Sequence, residues 1–207
     1  MHITRNNVIR GIPVPRKGSK YLACAVRFSN SAVPVVIAVR EMLNLATTAK
    51  EVKQMVHEKM LKINGKLVKD INQPIPIFSV FHADKNYVVT IKPTGRFEFE
   101  QTNDNSRLAK VIGKTAVRGG AIQYNLHEGT NMISKDKINV GDSLLIDFDN
   151  KIKKHIALEK GKKVFVISGS NTGKNGSIVK VDGRSISVKL QDKNEEVVLD
   201  MAQIFVQ

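Results

Sequence analysis

Residues 34–68, PVVIAVREMLNLATTAKEVKQMVHEKMLKINGKLV, decide the fold, because two helical patterns are followed at once by a hairpin within them. Val35, Val36, Val39, Met42 and Leu43 recur at helical spacing, and Pro34 stands where a first helical turn tolerates a missing N–H. Thr48 followed three residues later by Glu51 is a capping box, in which the two side chains satisfy free N–H groups of the first turn. A second helix therefore starts there and buries Ala49, Val52, Met55 or Val56, and Met60. Its Lys50, Lys53 and His57 fall at i, i+3 and i+7 and share a face away from that stripe. Leu61–Ile63 and Leu67–Val68 then flank Asn64-Gly65, the dipeptide that accepts the positive φ angles of a two-residue hairpin. Lys62, Lys66 and Lys69 extend the positive surface around it. A helical pair with solvated lysines would read the same way locally, so the remainder of the chain decides between the two.

The balance of 33 Lys and Arg against 19 Asp and Glu leaves +14 and a pI of 9.9, which favours a polyanionic partner. Nucleic acid is the first candidate and an anionic membrane surface the competitor. The longest apolar run, Ala32–Val39, falls far short of the roughly 20 residues needed to span a bilayer. A single cysteine, Cys24, excludes an internal disulfide framework and a cysteine-based zinc cluster, as expected in a reducing interior. The opening MHITRN lacks the apolar core of a secretory signal, so a cytoplasmic location is expected.

Residues 1–30 carry Arg5, Arg10, Arg16, Lys17, Lys20 and Arg27 and no acid, interrupted by Gly11, Pro13, Pro15 and Gly18. Such an arm gains phosphate contacts and releases counterions on RNA. Beyond the hairpin, Pro74 and Pro76 precede an expected strand at Ile77–Phe81. Tyr87–Ile91 and Arg96–Gln101, separated by Gly95, read as a β-hairpin with Phe97 and Phe99 on its buried side. Ser106–Ile112 reads as a short helix with a capping serine. Strands are expected at Ala121–Leu126, Asn131–Ile133 and Leu144–Phe148, the last entered through Val140-Gly141-Asp142-Ser143, with a basic connection at Lys151, Lys153 and Lys154. The last section alternates along Val164–Ile167 and turns through Gly169, Gly173 and Gly176. Ser177–Val181, Arg184–Leu190 and Glu195–Leu199 follow as strands.

Three stretches imitate catalytic motifs. GSNTGKN encloses three residues between Gly169 and Gly173, and Asn175 follows Lys174, whereas a phosphate-binding loop needs four and then Ser or Thr. HEGTN at His127–Asn131 lacks the second histidine of a zinc protease helix and is interrupted by Gly129. Gly95-Arg96-Phe97-Glu98 is similar to the Gly-Arg-Leu-Asp of a class of pseudouridine synthases, but Glu98 replaces the catalytic aspartate. No catalytic residue, metal ligand, cofactor or small-molecule substrate is therefore expected.

The helix–helix–hairpin resembles the small RNA-binding motif of bacterial ribosomal protein S four, and GKKVFVISGSNTGKNGSIVKV at 161–181 resembles the KOW motif of ribosomal proteins and transcription elongation factors. With KTAVRGGAIQYNLHEGTN at 114–131 between them, the order of motifs resembles the archaeal and eukaryotic small-subunit ribosomal protein family S four e over nearly the whole chain. The arm departs from that family's pattern, and the chain has no Trp. The resemblance implies an α+β, mostly β protein: a basic arm at 1–32, the helix–hairpin module with following strands at 33–101, a central β domain at 102–158 and a KOW-like, SH3-type barrel at 159–207. It implies a structural constituent of the small ribosomal subunit, with ribosomal RNA and neighbouring ribosomal proteins as partners and no membrane. Facing and charge nominate Arg5, Arg10, Arg16, Lys17 and Lys20 as RNA contacts in the arm, and Arg40, Lys50, Lys53, Lys62, Lys66 and Lys69 in the first module. Lys114 and Arg118 are nominated in the central domain, and Lys174, Asn175, Lys180 and Arg184 in the barrel. The competing readings are a KOW-containing transcription or translation factor that binds RNA reversibly, and an RNA-modifying enzyme of the pseudouridine synthase type.

Overall fold

The computed structural model describes residues 2–8, 11–26, 31–191 and 196–207. The chain is mostly β with few helices and divides into two compact units, Met1–Asn105 and Ser106–Gln207.

In the first unit, β1 (His2–Thr4) and β2 (Tyr21–Ala23) pair antiparallel. Next comes β3 (Ala32–Pro34), followed by α1 (Val35–Ile37). The helix continues for one wide turn over Ala38–Met42, closed by Leu43 N donating to Ala38 O at 2.9 Å. Sequence periodicity predicts a one-sided apolar stripe here, but Val35 to Val39 are buried on every side. The first-turn N–H groups of Val35 and Val36 donate to the Gln73 and Ile71 carbonyls, so a neighbouring loop supplies what a longer helix would. The second helix, α2 (Ala49–His57), has the expected cap: Glu51 N donates to Thr48 Oγ1, and Thr48 N to Glu51 Oε2, each at 3.3 Å. Backbone donation from Thr47 holds the Glu51 carboxyl below its ordinary value. Val52 is the buried anchor of this helix.

The short strands β4 (Lys62–Ile63) and β5 (Lys66–Leu67) meet at Asn64 and Gly65, with φ of 50° and 78°. Asn64 is buried, its Oδ1 accepting from Val80 N at 2.8 Å and its Nδ2 donating to Ser79 Oγ at 3.2 Å. The strand expected at Ile77–Phe81 is confined to β7 (Val80–His82); Ile77 and Phe78 form a turn that follows a separate strand, β6 (Pro74–Pro76). Phe78 adopts φ of 59° in that turn. The chain there leaves β3, with which β6 pairs, and enters a different sheet; one apolar run conceals the change because both strands are buried. With β8 (Asn86–Ile91) and β9 (Phe97–Gln101) the larger sheet has the order β5-β4-β7-β8-β9. Phe97 is buried and Phe99 meets Phe81 edge to face at 6.0 Å, so these rings pack rather than stack bases.

The second unit opens with β10 (Ser106–Ala116), an eleven-residue strand where the sequence predicts a capped helix. Its start pairs with β13 (Ser143–Asp147), far along the chain, and its end with the next strand, β11 (Ile122–Leu126), so pairing with other strands overrides the local helical reading. Together with β12 (Asn131–Ser134) and β14 (Ile152–Ile156), the order is β12-β11-β10-β13-β14. Lys153 and Lys154, expected in a connection, lie on β14, an edge strand whose lysines discourage further pairing.

Tyr124, Leu126, Val111, Leu144 and Ile146 make the core of that sheet. The second sheet runs β18-β17-β16-β15-β19, from β15 (Lys163–Val166), β16 (Asn175–Asp182), β17 (Ser185–Leu190), β18 (Glu196–Asp200) and β19 (Ile204–Val206). Its core is Val164, Val166, Ile178, Ile186, Val188, Leu190, Leu199, Ile204 and Val206. Gly176 is required there, since a Cβ would stand 2.6 Å from Val188 Cγ1 and 2.7 Å from the Lys189 carbonyl. Val206 N donates to Ser143 Oγ at 3.1 Å, joining the two sheets of this unit.

Candidate nucleic-acid interface

The cap that starts α2 fixes which of its residues face solvent, and Lys50, Lys53 and His57 are all exposed. The Asn64-Gly65 turn fixes the next group, and Lys62, Lys66 and Lys69 are exposed around it. None of these lysines enters an ion pair among the described residues. Sequence reasoning left out Lys59, exposed just after α2 with φ of 60°. The signal for it was its place just past the helix's C-terminus, where cations are favoured.

In the arm, Arg16, Lys17 and Lys20 are exposed. Arg5 is committed within the protein: its guanidinium donates to the Ser19 carbonyl at 2.7 Å, to Ser19 Oγ at 3.2 Å and to the Pro15 carbonyl. Its task is to fold the β1–β2 segment back on itself. Arg10 lies outside the described residues. Arg40 is half-buried, donating to the Thr47 carbonyl at 3.2 Å and pairing with Glu41 at 3.3 Å.

In the second unit, Lys114 and Arg118 are exposed and outside the ion pairs described, on a stretch that leads into the Gly119-Gly120 turn. Lys174 is half-buried, its Nζ 3.3 Å from Asn171 Oδ1, while Asn175 and Arg184 are exposed. Lys180 is exposed but pairs with Asp182 at 2.7 Å. Exposed pairs of that kind are worth at most about 1 kcal/mol, so a phosphate can compete for the lysine. The loop before β16 is set by Gly169 and Gly173 at φ of 95° and 79°, with Gly173 N donating to Val166 O at 2.7 Å.

Lys110 and Arg107 stand apart from these cations because they are buried. Lys110 Nζ donates to the carbonyls of Met201 and, at 2.7 Å, Ile204, beneath the Phe205 ring. Burial lowers its pKa to about 8, against the attraction of Asp200. Between about 8 and 10.5 the unfolded chain keeps a proton that the folded chain has released, so stability rises with pH through that window and is lowest below it. Lys110→Met is expected to flatten this rise. Denaturant midpoints of both proteins at about pH 7 and about pH 10 check it.

Among the described residues no group of three His, Cys, Asp or Glu is placed to hold a metal, and no helix is long and apolar enough to cross a membrane.

The family profile described as Ribosomal family S4e matches residues 83–153. The chain is 32% identical over 188 residues to the small ribosomal subunit protein eS4 of Methanocella arvoryzae, covering 87% of this chain and 80% of that one. It is 31% identical over 207 residues to the eS4 of Halobacterium salinarum, covering 93% and 89% respectively. The crystal structure of the 30S ribosomal protein S4e from Thermoplasma acidophilum superposes with a TM-score of 0.72 at 23% identity, over 86% of this chain and 95% of that chain.

Proposed function

Because the chain belongs to the S4e family of ribosomal proteins, we infer that it is a structural constituent of the small ribosomal subunit, held there by ribosomal RNA. It is not an enzyme, and it works with the ribosomes of the cytoplasm beside neighbouring ribosomal proteins. The observation that carries this reading is the family membership. The surface agrees: exposed cations outside the ion pairs described lie in both units, while the buried cations Arg107 and Lys110 are satisfied within the protein.

Lys50, Lys53, Lys62, Lys66 and Lys69 contact RNA backbone from the helix–hairpin stretch, which serves as a module of the S-four type; the capped α2 and the Asn64-Gly65 turn support that role. Arg16, Lys17 and Lys20 do so from the arm at 1–32. Lys114 and Arg118 act from the central β segment at 102–158. Lys174, Asn175, Lys180 and Arg184 act from 159–207, whose five antiparallel strands and glycine loop suit a KOW-like barrel. Arg5 and Arg40 contribute by shaping the surface rather than by charge alone.

Sedimentation tests the reading. The protein is expected to stay with small subunits washed at high salt, where a reversibly bound factor would be released to the supernatant. Quantitative release at the wash would overturn it.

A further inference from the structure

One face of the first sheet of the second unit differs from the rest of this basic surface. The register places Gly113, Asn125 and Asn131 in one row across β10, β11 and β12, and Thr115, Gln123 and Ile133 in the next. Tyr124 and Leu126 alternate with them on β11 and turn the other way into the core, so these six positions share the outer face. None is charged, in a chain of net charge +14. Gln123 Nε2 donates to Asn125 Oδ1 at 3.1 Å, which aligns the two amides and leaves Gln123 Oε1 and Asn125 Nδ2 for another molecule. Thr115, Asn131 and Ile133 are exposed, and Gly113 keeps its row low. At the end of the face the exposed stretch 115–120 brings Arg118 and the Gly119-Gly120 turn, with no acid, while Lys114, opposite Tyr124, belongs to the other face.

We propose that this face seats the shallow minor groove of a ribosomal RNA helix, its amides and threonine hydroxyl bonding ribose 2′-hydroxyls and base edges while Arg118 contacts a flanking phosphate. The proposal rests on the ribosomal reading above and adds the kind of RNA surface met. The minor groove of A-form RNA is wide and shallow and presents uncharged donors and acceptors, which match a flat face of amides. Unpaired bases would call for an aromatic platform, and none of the six residues is aromatic. A protein partner would call for a desolvated apolar or aromatic centre, whereas the large apolar residues here, Ile133 and Val117, are separate and solvent-exposed.

The test uses the full chain and small-subunit ribosomal RNA. Gln123→Ala with Asn125→Ala is expected to weaken binding by about tenfold or more, with the slope of log affinity against log salt unchanged. Arg118→Gln is expected to lower that slope by about 1. An amide variant that binds like the parent, or that changes only the slope, overturns the proposal. A photo-crosslinking phenylalanine analogue replacing Asn131, in reconstituted subunits, is expected to label paired nucleotides; labelling of a protein or of unpaired nucleotides overturns it. Retention of the parent protein on washed subunits separates these failures from failure of the ribosomal reading itself.

Discussion

Glu128→Ala is expected to cost about 3–5 kcal/mol of unfolding free energy, enough to unfold the second unit under mild denaturant. Arg107 Nε donates to Glu128 Oε1 at 2.7 Å, and both side chains are only 2% exposed. The rest of the guanidinium is also used, by Asn150 Oδ1 at 2.9 Å and the Asp147 carbonyl at 3.3 Å, and Thr130 Oγ1 donates to the same Glu128 oxygen at 2.9 Å. Removing the carboxylate strands a buried cation with no access to water. The cost arises from that desolvated charge more than from the lost attraction, so Arg107→Met combined with Glu128→Met is expected to recover most of the stability. Urea titrations of the parent, the single and the double variant check this. A single-variant loss below about 1 kcal/mol, the range of an exposed pair, would contradict it.

Replacing Lys50, Lys53, Lys62 and Lys66 together by Gln is expected to leave the thermal midpoint nearly unchanged while removing much of the RNA affinity. All four are exposed and outside the ion pairs of the described residues, and such surface changes usually stay within about 0.5 kcal/mol each. If each neutralises one phosphate, the slope of log affinity against log salt falls by about 3 to 4, and binding at low salt weakens by about a hundredfold. Filter binding to small-subunit ribosomal RNA across a salt series measures both quantities. An unchanged slope would remove the α2–hairpin stretch from the interface.

The local signals were strong where the chain satisfies its own backbone. Thr48 and Glu51 cap α2 through bonds three residues apart, and Asn64-Gly65 takes up positive φ because of what those two residues are. Composition likewise points to a polyanionic partner, because net charge is a simple total. The distinction between Arg40 or Arg5, engaged within the protein, and Lys50 or Lys62, left to solvent, was not legible, because a charge in a sequence does not say whether a carbonyl awaits it.

The sequence by itself determined the capped basic helix, the two-residue hairpin turn, the alternating strands of the last section and the excess of positive charge, since each depends on residues close together or on simple totals. Only the tertiary structure decided that Ser106–Ala116 is a strand, that the run at 74–82 splits between two sheets, and that Arg107 and Lys110 are buried cations. The physical reason is the same in each case. A strand's hydrogen bonds and a buried charge's partners come from segments far along the chain, such as β13 for Arg107's strand and β19 for Lys110, and no window around the residue contains them.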